Sequence, residues 1–176
     1  HVNTDALYQL EKEGKTVIPS AKAIETIKDK GLQKDFYAKH NIPSSPYRIV
    51  ANKKELNNNL DFLPVFQKAR TDGYDGKGVV HLKNEAALNE AFDVPSVLEK
   101  SVDIEKEISV IVARDLEGNT TTFPVVELVF DPVYNLVDYL FSPAQITKQQ
   151  SARAEELALN VANKLDSAGI FAIEMF

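Results

Sequence analysis

The sequence predicts an α+β fold that is divided into two lobes. Residues 47–98 have the order strand, helix, strand, strand, helix and strand, whereas residues 99–176 contain apolar strand-like runs and one long amphipathic helix. A chain of 176 residues is long enough to bury a core in such an arrangement. We expect a helical entry segment at 1–46 that packs on the large lobe, a small lobe at 47–98 and a large lobe at 99–176.

The composition is typical of a globular domain and excludes several functional classes. The net charge of −6 argues against a nucleic-acid-binding protein, which normally carries a basic face. The sequence has no cysteine, which excludes a disulfide framework, a thiolate metal site and a cysteine nucleophile. No apolar run approaches the roughly 20 residues that a membrane-spanning helix needs. We expect a cytoplasmic protein that has neither nucleic acid nor membrane as a partner.

The entry segment is predicted to contain three helices. Asn3 can cap the first helix, which Gly14 ends, and Ser20 can cap the second. Gly31 separates the second helix from the third, because glycine in a helix interior costs about 1 kcal/mol relative to alanine. Lys30 lies at this junction, where an exposed surface lysine is the simplest interpretation.

The small lobe is predicted to be a sheet with a glycine-dense loop at its centre. Asparagine is a favoured N-cap residue, so we expect helices to begin after Asn52 and Asn84 and to extend to Leu60 and Phe92. The strands are expected at 47–51, 63–66, 79–82 and 96–98.

The large lobe is predicted to be an antiparallel sheet with one long helix. Residues 131–143 are expected to be irregular, and Gly169 is expected to end the helix. The strands are expected at 107–113, 120–123, 125–130 and 170–176, with Pro124 at a bulge or edge, and the helix at 147–168.

The glycine-dense loop is the strongest indication of function. Three of the seven glycines lie at residues 73–78, in the order Gly-x-x-Gly-x-Gly. Glycine permits positive φ and a close backbone approach, so such a loop can direct N–H groups at phosphate oxygens. Lys68 before the loop and Lys77 within it add positive charge. The segment indicates a nucleotide-phosphate site, and the alternative is an ordinary hairpin whose glycines only satisfy turn geometry.

Three glutamates are candidate ligands. Glu174 lies in an apolar strand, where an ionised carboxylate is costly unless it is paired or bound to a metal. It is either a magnesium ligand or a residue on an exposed face. Glu99 lies at a strand end, and Glu107, eight residues later, could pair with Lys106 or Lys68.

Five motifs follow one another in an order that is similar to a known family. They are Asp29-Lys30-Gly31-Leu32-Gln33-Lys34, Lys68 with Gly73-Tyr74-Asp75-Gly76-Lys77-Gly78, Glu99-Lys100-Ser101-Val102, Glu107-Ile108-Ser109-Val110 and Phe171-Ala172-Ile173-Glu174-Met175-Phe176. This order resembles the ATP-grasp domain and, within that superfamily, the 5-(carboxyamino)imidazole ribonucleotide synthases of purine biosynthesis. The resemblance extends over nearly the whole chain and implies two α+β lobes that clasp a nucleotide.

The resemblance implies a role for each motif. Lys30 and Lys68 contact the nucleotide phosphates from two lobes, and Glu174 is the first of the magnesium-binding acids. The implied catalytic residues are Lys68, Tyr74 and Asp75. The implied ATP-binding set comprises Lys30, Lys68, the lid loop of Gly73, Tyr74, Asp75, Gly76, Lys77 and Gly78, the adenine hinge of Glu99, Lys100, Ser101 and Val102, and the ribose ligand Glu107.

The resemblance also implies a reaction that uses ATP and Mg²⁺. Bicarbonate attacks the γ-phosphate to give carboxyphosphate, and the amine of aminoimidazole ribonucleotide captures the carboxyl group. The implied substrates are small molecules, and the full-length protein is expected to be a homodimer. Two alternatives remain open: another ATP-grasp ligase of the glycinamide ribonucleotide transformylase or biotin carboxylase type, and a non-catalytic nucleotide-binding module.

Some features of the family are changed or lacking in this sequence. Asp72 stands where relatives usually have glycine, and Phe130 stands where some have histidine. Relatives place a Rossmann-like domain before His1 and a further segment after Phe176. We therefore expect these 176 residues alone to bind nucleotide weakly and not to turn over.

Overall fold

A computed structural model describes residues 2–71, 73, 78–131 and 136–176. The helices are α1 (Thr4–Lys12), α2 (Ala21–Lys28), α3 (Lys30–Lys39), α4 (Lys53–Asn57) and α5 (Lys148–Leu165). The strands are β1 (Tyr47–Val50), β2 (Val65–Ala69), β3 (Val79–Leu82), β4 (Ser96–Lys100), β5 (Glu107–Arg114), β6 (Thr120–Thr122), β7 (Val126–Phe130), β8 (Val137–Phe141) and β9 (Gly169–Met175). Within these described ranges, no helix is long and apolar enough to cross a membrane.

The chain forms two compact units, each with its own sheet. Unit 1 contains His1–Glu25 and Ile104–Phe176, and unit 2 contains Thr26–Asp103. The predicted α+β class is confirmed, since helices accompany an antiparallel sheet in each unit. The predicted lobe boundaries after residues 46 and 98 differ from this division and stay a prediction.

The predicted N-cap residues are confirmed by side-chain hydrogen bonds. Asn3 accepts from the N–H of Ala6 at 3.1 Å, and Ser20 Oγ accepts from the N–H of Ala23 at 3.2 Å. These contacts satisfy N–H groups that have no partner inside the helix. At α5 the Thr147 side chain and its partner Gln150 form a reciprocal capping box.

Unit 2 is built around an antiparallel sheet with the order β1-β4-β2-β3. The predicted central position of the glycine loop is therefore wrong, because β3 is an edge strand. The two inner strands are β4 and β2. In agreement with this position, the first four residues of β4 are all buried. The core on one face of this sheet consists of Val50, Leu56, Val65, Leu82, Ala91 and Leu98.

The segments that follow Asn52 and Asn84 are shorter or tighter than predicted. The α-helix after Asn52 ends at Asn57, and a separate 3₁₀ turn spans Leu60–Phe62. The segment after Asn84 is a 3₁₀ helix at Glu85–Glu90 rather than an α-helix. Helix nucleation is unfavourable, so the length and type of a short helix depend on tertiary packing. The caps could therefore be predicted from the sequence, whereas the helix lengths and types could not.

Unit 1 has a sheet with the order β6-β5-β7-β8, in which β9 also pairs with β5. Helix α5 packs on one face of this sheet through a core of Val110, Val112, Val125, Ala154, Ala158 and Ala162. Side chains alternate between the faces of a strand. The opposite face of β5 therefore carries Glu107 and Ser109, and Ser109 is the register partner of Glu174. We call this surface the acidic face.

Two predictions in the large lobe are wrong. Residues predicted as irregular include β8, which pairs with β7 across a register shift between Val129 and Phe130. Helix α5 ends at Leu165, because Asp166 takes the left-handed conformation at φ 50° and accepts from Arg114. Aspartate tolerates this conformation, so the helix does not continue to Gly169, which begins β9.

Candidate nucleotide-phosphate site

The sheet of unit 2 carries a cluster of charged residues on the face opposite its core. Phe66 and Glu99 are register partners, and Lys68 lies two residues further along β2, so all three project from one face. The Glu99 carboxylate contacts Lys68 Nζ at 3.1 Å and Lys34 Nζ at 3.3 Å. Ser45 Oγ donates to the same carboxylate at 3.4 Å. Two lysines from different elements thus meet at one buried glutamate.

The charges of this cluster shift one another's protonation. Burial alone raises the pKa of Glu99, but Lys68 and Lys34 offset it, so that the pKa is lower than usual. Burial lowers the pKa of Lys34, against the attraction of Glu99. Burial and the nearby Lys68 likewise lower the pKa of Lys30. The cluster, defined as Lys30, Lys34, Lys68 and Glu99, therefore contains three lysines and one carboxylate, and two of the lysines contact that carboxylate.

Helix α3 is held at its start by an ion pair with the base of the glycine loop. Asp29 Oδ1 accepts from the N–H of Gly31 at 2.7 Å and from Arg70 Nε at 2.8 Å, while Asp29 Oδ2 accepts from Arg70 Nη2 at 2.7 Å. The N–H of Lys30 also donates to the carbonyl of Arg70 at 3.0 Å. A Cβ on Gly31 would lie 2.6 Å from Arg70 Nε. Lys30 is thereby fixed relative to the loop.

The two ends of the glycine loop lie close together. The N–H of Ala69 donates to the carbonyl of Gly78 at 2.8 Å. Gly78 has φ +81°, and a Cβ there would lie 3.1 Å from the Cα of Gly73. Glycine is therefore favoured at 78 by the backbone conformation and by the limited space for a Cβ. The predicted site residues Tyr74, Asp75, Gly76 and Lys77, and the substituted position Asp72, lie outside the described residues.

The predicted adenine hinge begins at Glu99 and continues to Val102. The N–H groups of Lys100 and Ser101 donate to the carbonyls of Pro46 at 2.9 Å and Pro64 at 3.2 Å. Lys100 Nζ donates to the carbonyls of Phe62 at 3.0 Å and Leu63 at 2.8 Å. Its side chain therefore secures the sheet and points away from the cluster.

The end of the hinge is more open. Ser101 Oγ lies 2.9 Å from His81 Nε2, and the His81 ring stacks on Phe66 at 4.2 Å between centroids. Val102 is 40% exposed, and within the described residues its N–H has no hydrogen-bond partner. Val102 is thus the position in the hinge whose backbone donor can receive a ligand.

Glu107 and Glu174 belong to the acidic face of unit 1. Glu174 is exposed and opposite Ser109, and Glu107 is its diagonal neighbour two residues before Ser109. Lys106, a predicted partner of Glu107, contacts Glu127 at 2.6 Å instead. Among the described residues, no three His, Cys, Asp or Glu side chains gather as a metal-binding group.

Sequence reasoning missed the part of Lys34 in this site. Lys34 belongs to the motif Asp29–Lys34, but neither the sequence nor the resemblance assigns a role to it. One signal was present, because Lys34 follows Lys30 by one helical turn and side chains at this spacing share a helix face. The Asp29–Arg70 pair was also missed, since nothing in the sequence indicates that positions 41 residues apart meet.

Comparisons with known proteins agree on one family. The model of the ATP-grasp domain matches residues 35–176. A phosphoribosylaminoimidazole carboxylase from Ogataea methanolica is 34% identical over 185 residues, which cover 100% of this chain and 34% of that protein. The chain spans about a third of the length of the curated relatives it matches.

Two solved structures illustrate the likeness of the fold. The N5-carboxyaminoimidazole ribonucleotide synthetase from Thermotoga maritima has a TM-score of 0.85 and 36% identity, covering 100% of this chain and 45% of that one. The N5-carboxyaminoimidazole synthase from Aspergillus clavatus, in complex with ADP and 5-aminoimidazole ribonucleotide, has a TM-score of 0.86 and 26% identity. It is matched over 47% of its chain, by 100% of this one.

Proposed function

Because the chain belongs to the ATP-grasp domain family, we propose that it is the ATP-binding part of a 5-(carboxyamino)imidazole ribonucleotide synthase. The observation that carries this proposal is the cluster of unit 2, where Lys34 and Lys68 contact Glu99 and the charges of Lys30, Lys68 and Glu99 influence one another. Three ammonium groups and one carboxylate leave an excess of positive charge in a partly buried place. A polyphosphate is a ligand that balances such an excess.

We assign the individual roles as follows. Lys30 and Lys68 bind the phosphates, since both ammonium groups belong to the cluster. The loop residues Gly73, Tyr74, Asp75, Gly76, Lys77 and Gly78 cover the terminal phosphates, and the close approach of the loop ends supports this role. Lys68, Tyr74 and Asp75 are proposed as catalytic residues. The lobe division at residues 46 and 98 is retained as part of the proposal.

The base and the ribose are assigned to the hinge and to Glu107. Within the hinge of Glu99, Lys100, Ser101 and Val102, the N–H of Val102 is the proposed donor to adenine. Its exposure supports this, because the N–H groups of the two residues before it already have protein partners. Glu107 is proposed to accept hydrogen bonds from the ribose hydroxyls.

The residues of the acidic face fit a magnesium ion that arrives with the nucleotide. Magnesium prefers one or two carboxylates together with phosphate oxygens, and does not need a closed protein cage. Glu174 is an exposed carboxylate on that face and is the proposed ligand. When bound, the ion supplies charge neutralisation at the phosphates.

The proposed reaction transfers the γ-phosphate of ATP to bicarbonate. A bicarbonate oxygen forms a bond to phosphorus as the bond to ADP breaks, which gives carboxyphosphate. The amine of 5-aminoimidazole ribonucleotide then attacks the carboxyl carbon, and phosphate leaves with formation of N5-carboxyaminoimidazole ribonucleotide. The chain's part is positioning and charge neutralisation, which phosphoryl transfer mainly requires. The names of the relatives support the choice of acceptor.

The proposal is tested with full-length protein and with the 176 residues alone. Phosphate release by the full-length protein should require ATP, bicarbonate and aminoimidazole ribonucleotide. Lys68→Ala should abolish it, while Lys54→Ala, at an exposed lysine of unit 2, should not. The 176 residues alone should bind ATP weakly without turnover, and turnover by them would contradict that expectation.

Two other functions are separated by the same assay. Another ATP-grasp ligase would release phosphate with glycinamide ribonucleotide and formate, or with biotin, in place of aminoimidazole ribonucleotide. A non-catalytic nucleotide-binding module would show no difference between Lys68→Ala and wild type.

We also propose a homodimeric full-length protein in the cytoplasm. Both follow from the resemblance, and the lack of cysteine is compatible with a reducing compartment. Sedimentation of the full-length protein and microscopy of a fluorescent fusion test the two statements.

A further inference from the structure

We propose that Lys34 is a positioning residue that holds the Glu99 carboxylate and thereby releases Lys68 for the phosphates of the nucleotide. The inference rests on the proposed function, because it concerns how the same site changes when a nucleotide arrives. It assigns a separate task to each of the two lysines that contact Glu99.

The two lysines differ in how firmly they are held. The Lys34 side chain is 8% exposed, whereas the Lys68 side chain is 29% exposed. Lys34 Nζ is anchored by Ser44 Oγ at 2.6 Å and lies 5.9 Å from the centroid of the Tyr47 ring. Lys34 is thus enclosed by protein, and Lys68 is the one of the two that can turn toward a ligand.

Glu99 needs a cation at all times because it is buried. Its side chain is 10% exposed, and an uncompensated charge in such a place is strongly unfavourable. If Lys68 were the only partner, moving its ammonium to a phosphate would leave the carboxylate unpaired. With Lys34 in place at 3.3 Å, the carboxylate stays compensated while Lys68 changes partner.

The two lysines bind opposite oxygens, which allows this exchange. Lys34 contacts Oε1 of Glu99 and Lys68 contacts Oε2. Ser45 Oγ also donates to Oε2. When Lys68 leaves, Oε2 keeps the serine hydroxyl and Oε1 keeps Lys34, so neither oxygen is left without a partner.

A double-mutant cycle tests whether Lys34 acts through Glu99. We expect Lys34→Met to weaken ATP and ADP binding about tenfold, because Lys68 is then the only cation in contact with a buried carboxylate. The control Lys39→Met, at an exposed lysine of the same helix, should leave the dissociation constant unchanged. In a Glu99→Gln background, Lys34→Met should change it less than about twofold, which is within the error expected of uncoupled sites.

Each outcome of the cycle has a separate meaning. An equal loss in both backgrounds means that Lys34 acts on the phosphates directly or only on the fold, and overturns the inference. No loss in a wild-type background that binds ATP also overturns it, but leaves the proposed function standing. Failure of the wild type and of the full-length protein to bind ATP overturns both.

A second readout does not use nucleotide. The pKa of the Glu99 carboxyl, followed by carbon-13 NMR, should rise in Lys34→Met because one of the two cations that lower it is removed. If Lys34→Met does not fold, Ser44→Ala removes the anchor of Lys34 at an exposed position and should act in the same direction. An unchanged pKa in the folded variant would contradict the inference.

Discussion

The cluster of unit 2 and the acidic face of unit 1 differ in how their carboxylates are stabilised. In the cluster, Glu99 is buried and its charge is already compensated by Lys34 and Lys68. On the acidic face, Glu174 is exposed to solvent. The difference follows from solvation, because a buried carboxylate needs a cation from the protein, whereas an exposed one is stabilised by water. The charges of the cluster are therefore compensated within the protein, whereas the role proposed for the acidic face requires an ion that arrives with the nucleotide.

The largest effect should come from removing the buried carboxylate. Glu99→Leu leaves Lys34 and Lys68 together without a counter-charge, so we expect the free energy of unfolding to fall by about 3–5 kcal/mol. Urea denaturation measures this change. A loss below about 1 kcal/mol, as is typical of exposed ion pairs, would show that the cluster is solvated like the acidic face.

A smaller effect should follow from filling the space at Gly31. Gly31→Ala places a Cβ 2.6 Å from Arg70 Nε, so the Arg70 guanidinium must move away from Asp29. Losing a hydrogen bond to a charged group typically costs about 1.5–3 kcal/mol. Because the clash is with Arg70, the same substitution in an Arg70→Ala background should not destabilise the protein, and alanine should add up to about 1 kcal/mol of helix stability relative to glycine. Thermal unfolding of the four variants in this cycle gives the coupling, and additivity of the two substitutions would refute the contact.

The cluster should also make the free energy of unfolding depend on pH in the acid range. The folded pKa of Glu99 is lowered, so its contribution is present above the ordinary glutamate value of about 4.3 and is lost as the pH falls through the folded pKa. The difference in unfolding free energy between wild type and Glu99→Gln should therefore shrink below about pH 4. Equal slopes for the two proteins in the acid range would contradict the predicted linkage.

The smallest effect on stability is expected on the acidic face. Glu174 is exposed, and surface substitutions usually change stability by less than about 0.5 kcal/mol. Glu174→Gln should therefore unfold like wild type but lose the part of its ATP affinity that depends on Mg²⁺. Asp138→Asn, at an exposed carboxylate of β8, is the matched control. Unchanged Mg²⁺ dependence in Glu174→Gln would remove this residue from the metal site.

The sequence was most informative where local chemistry decides the structure. The cap residues Asn3, Ser20 and Asn52 were identifiable because a cap is a contact between neighbours in the chain. The helix end at Asp166 could not be identified, because Gly169, three residues later, is the more usual residue for a left-handed helix end. The strand β8 was missed because pairing with β7 decides it.

The candidate site shows the same limit. Lys68 and the glycines were found because strand, loop and charge are adjacent in the sequence. The contact of Lys34 with Glu99 joins residues that are 65 positions apart, and no local pattern reports it. The sequence could not predict that Lys34 and Lys68 both pair with Glu99. This pairing depends on how helix α3 packs on the sheet of unit 2.

The contact between Gly31, Asp29 and Arg70 has a consequence for how the sequence can change over generations. Arg70 occupies the space that a side chain at 31 would need, and Asp29 holds Arg70 there. A larger residue at position 31 either displaces Arg70 or follows a shorter residue at position 70, and in both cases Asp29 loses its ion-pair partner while remaining the cap of α3. Substitutions at the three positions are therefore coupled, and a change of the arginine makes a later change at position 31 less costly.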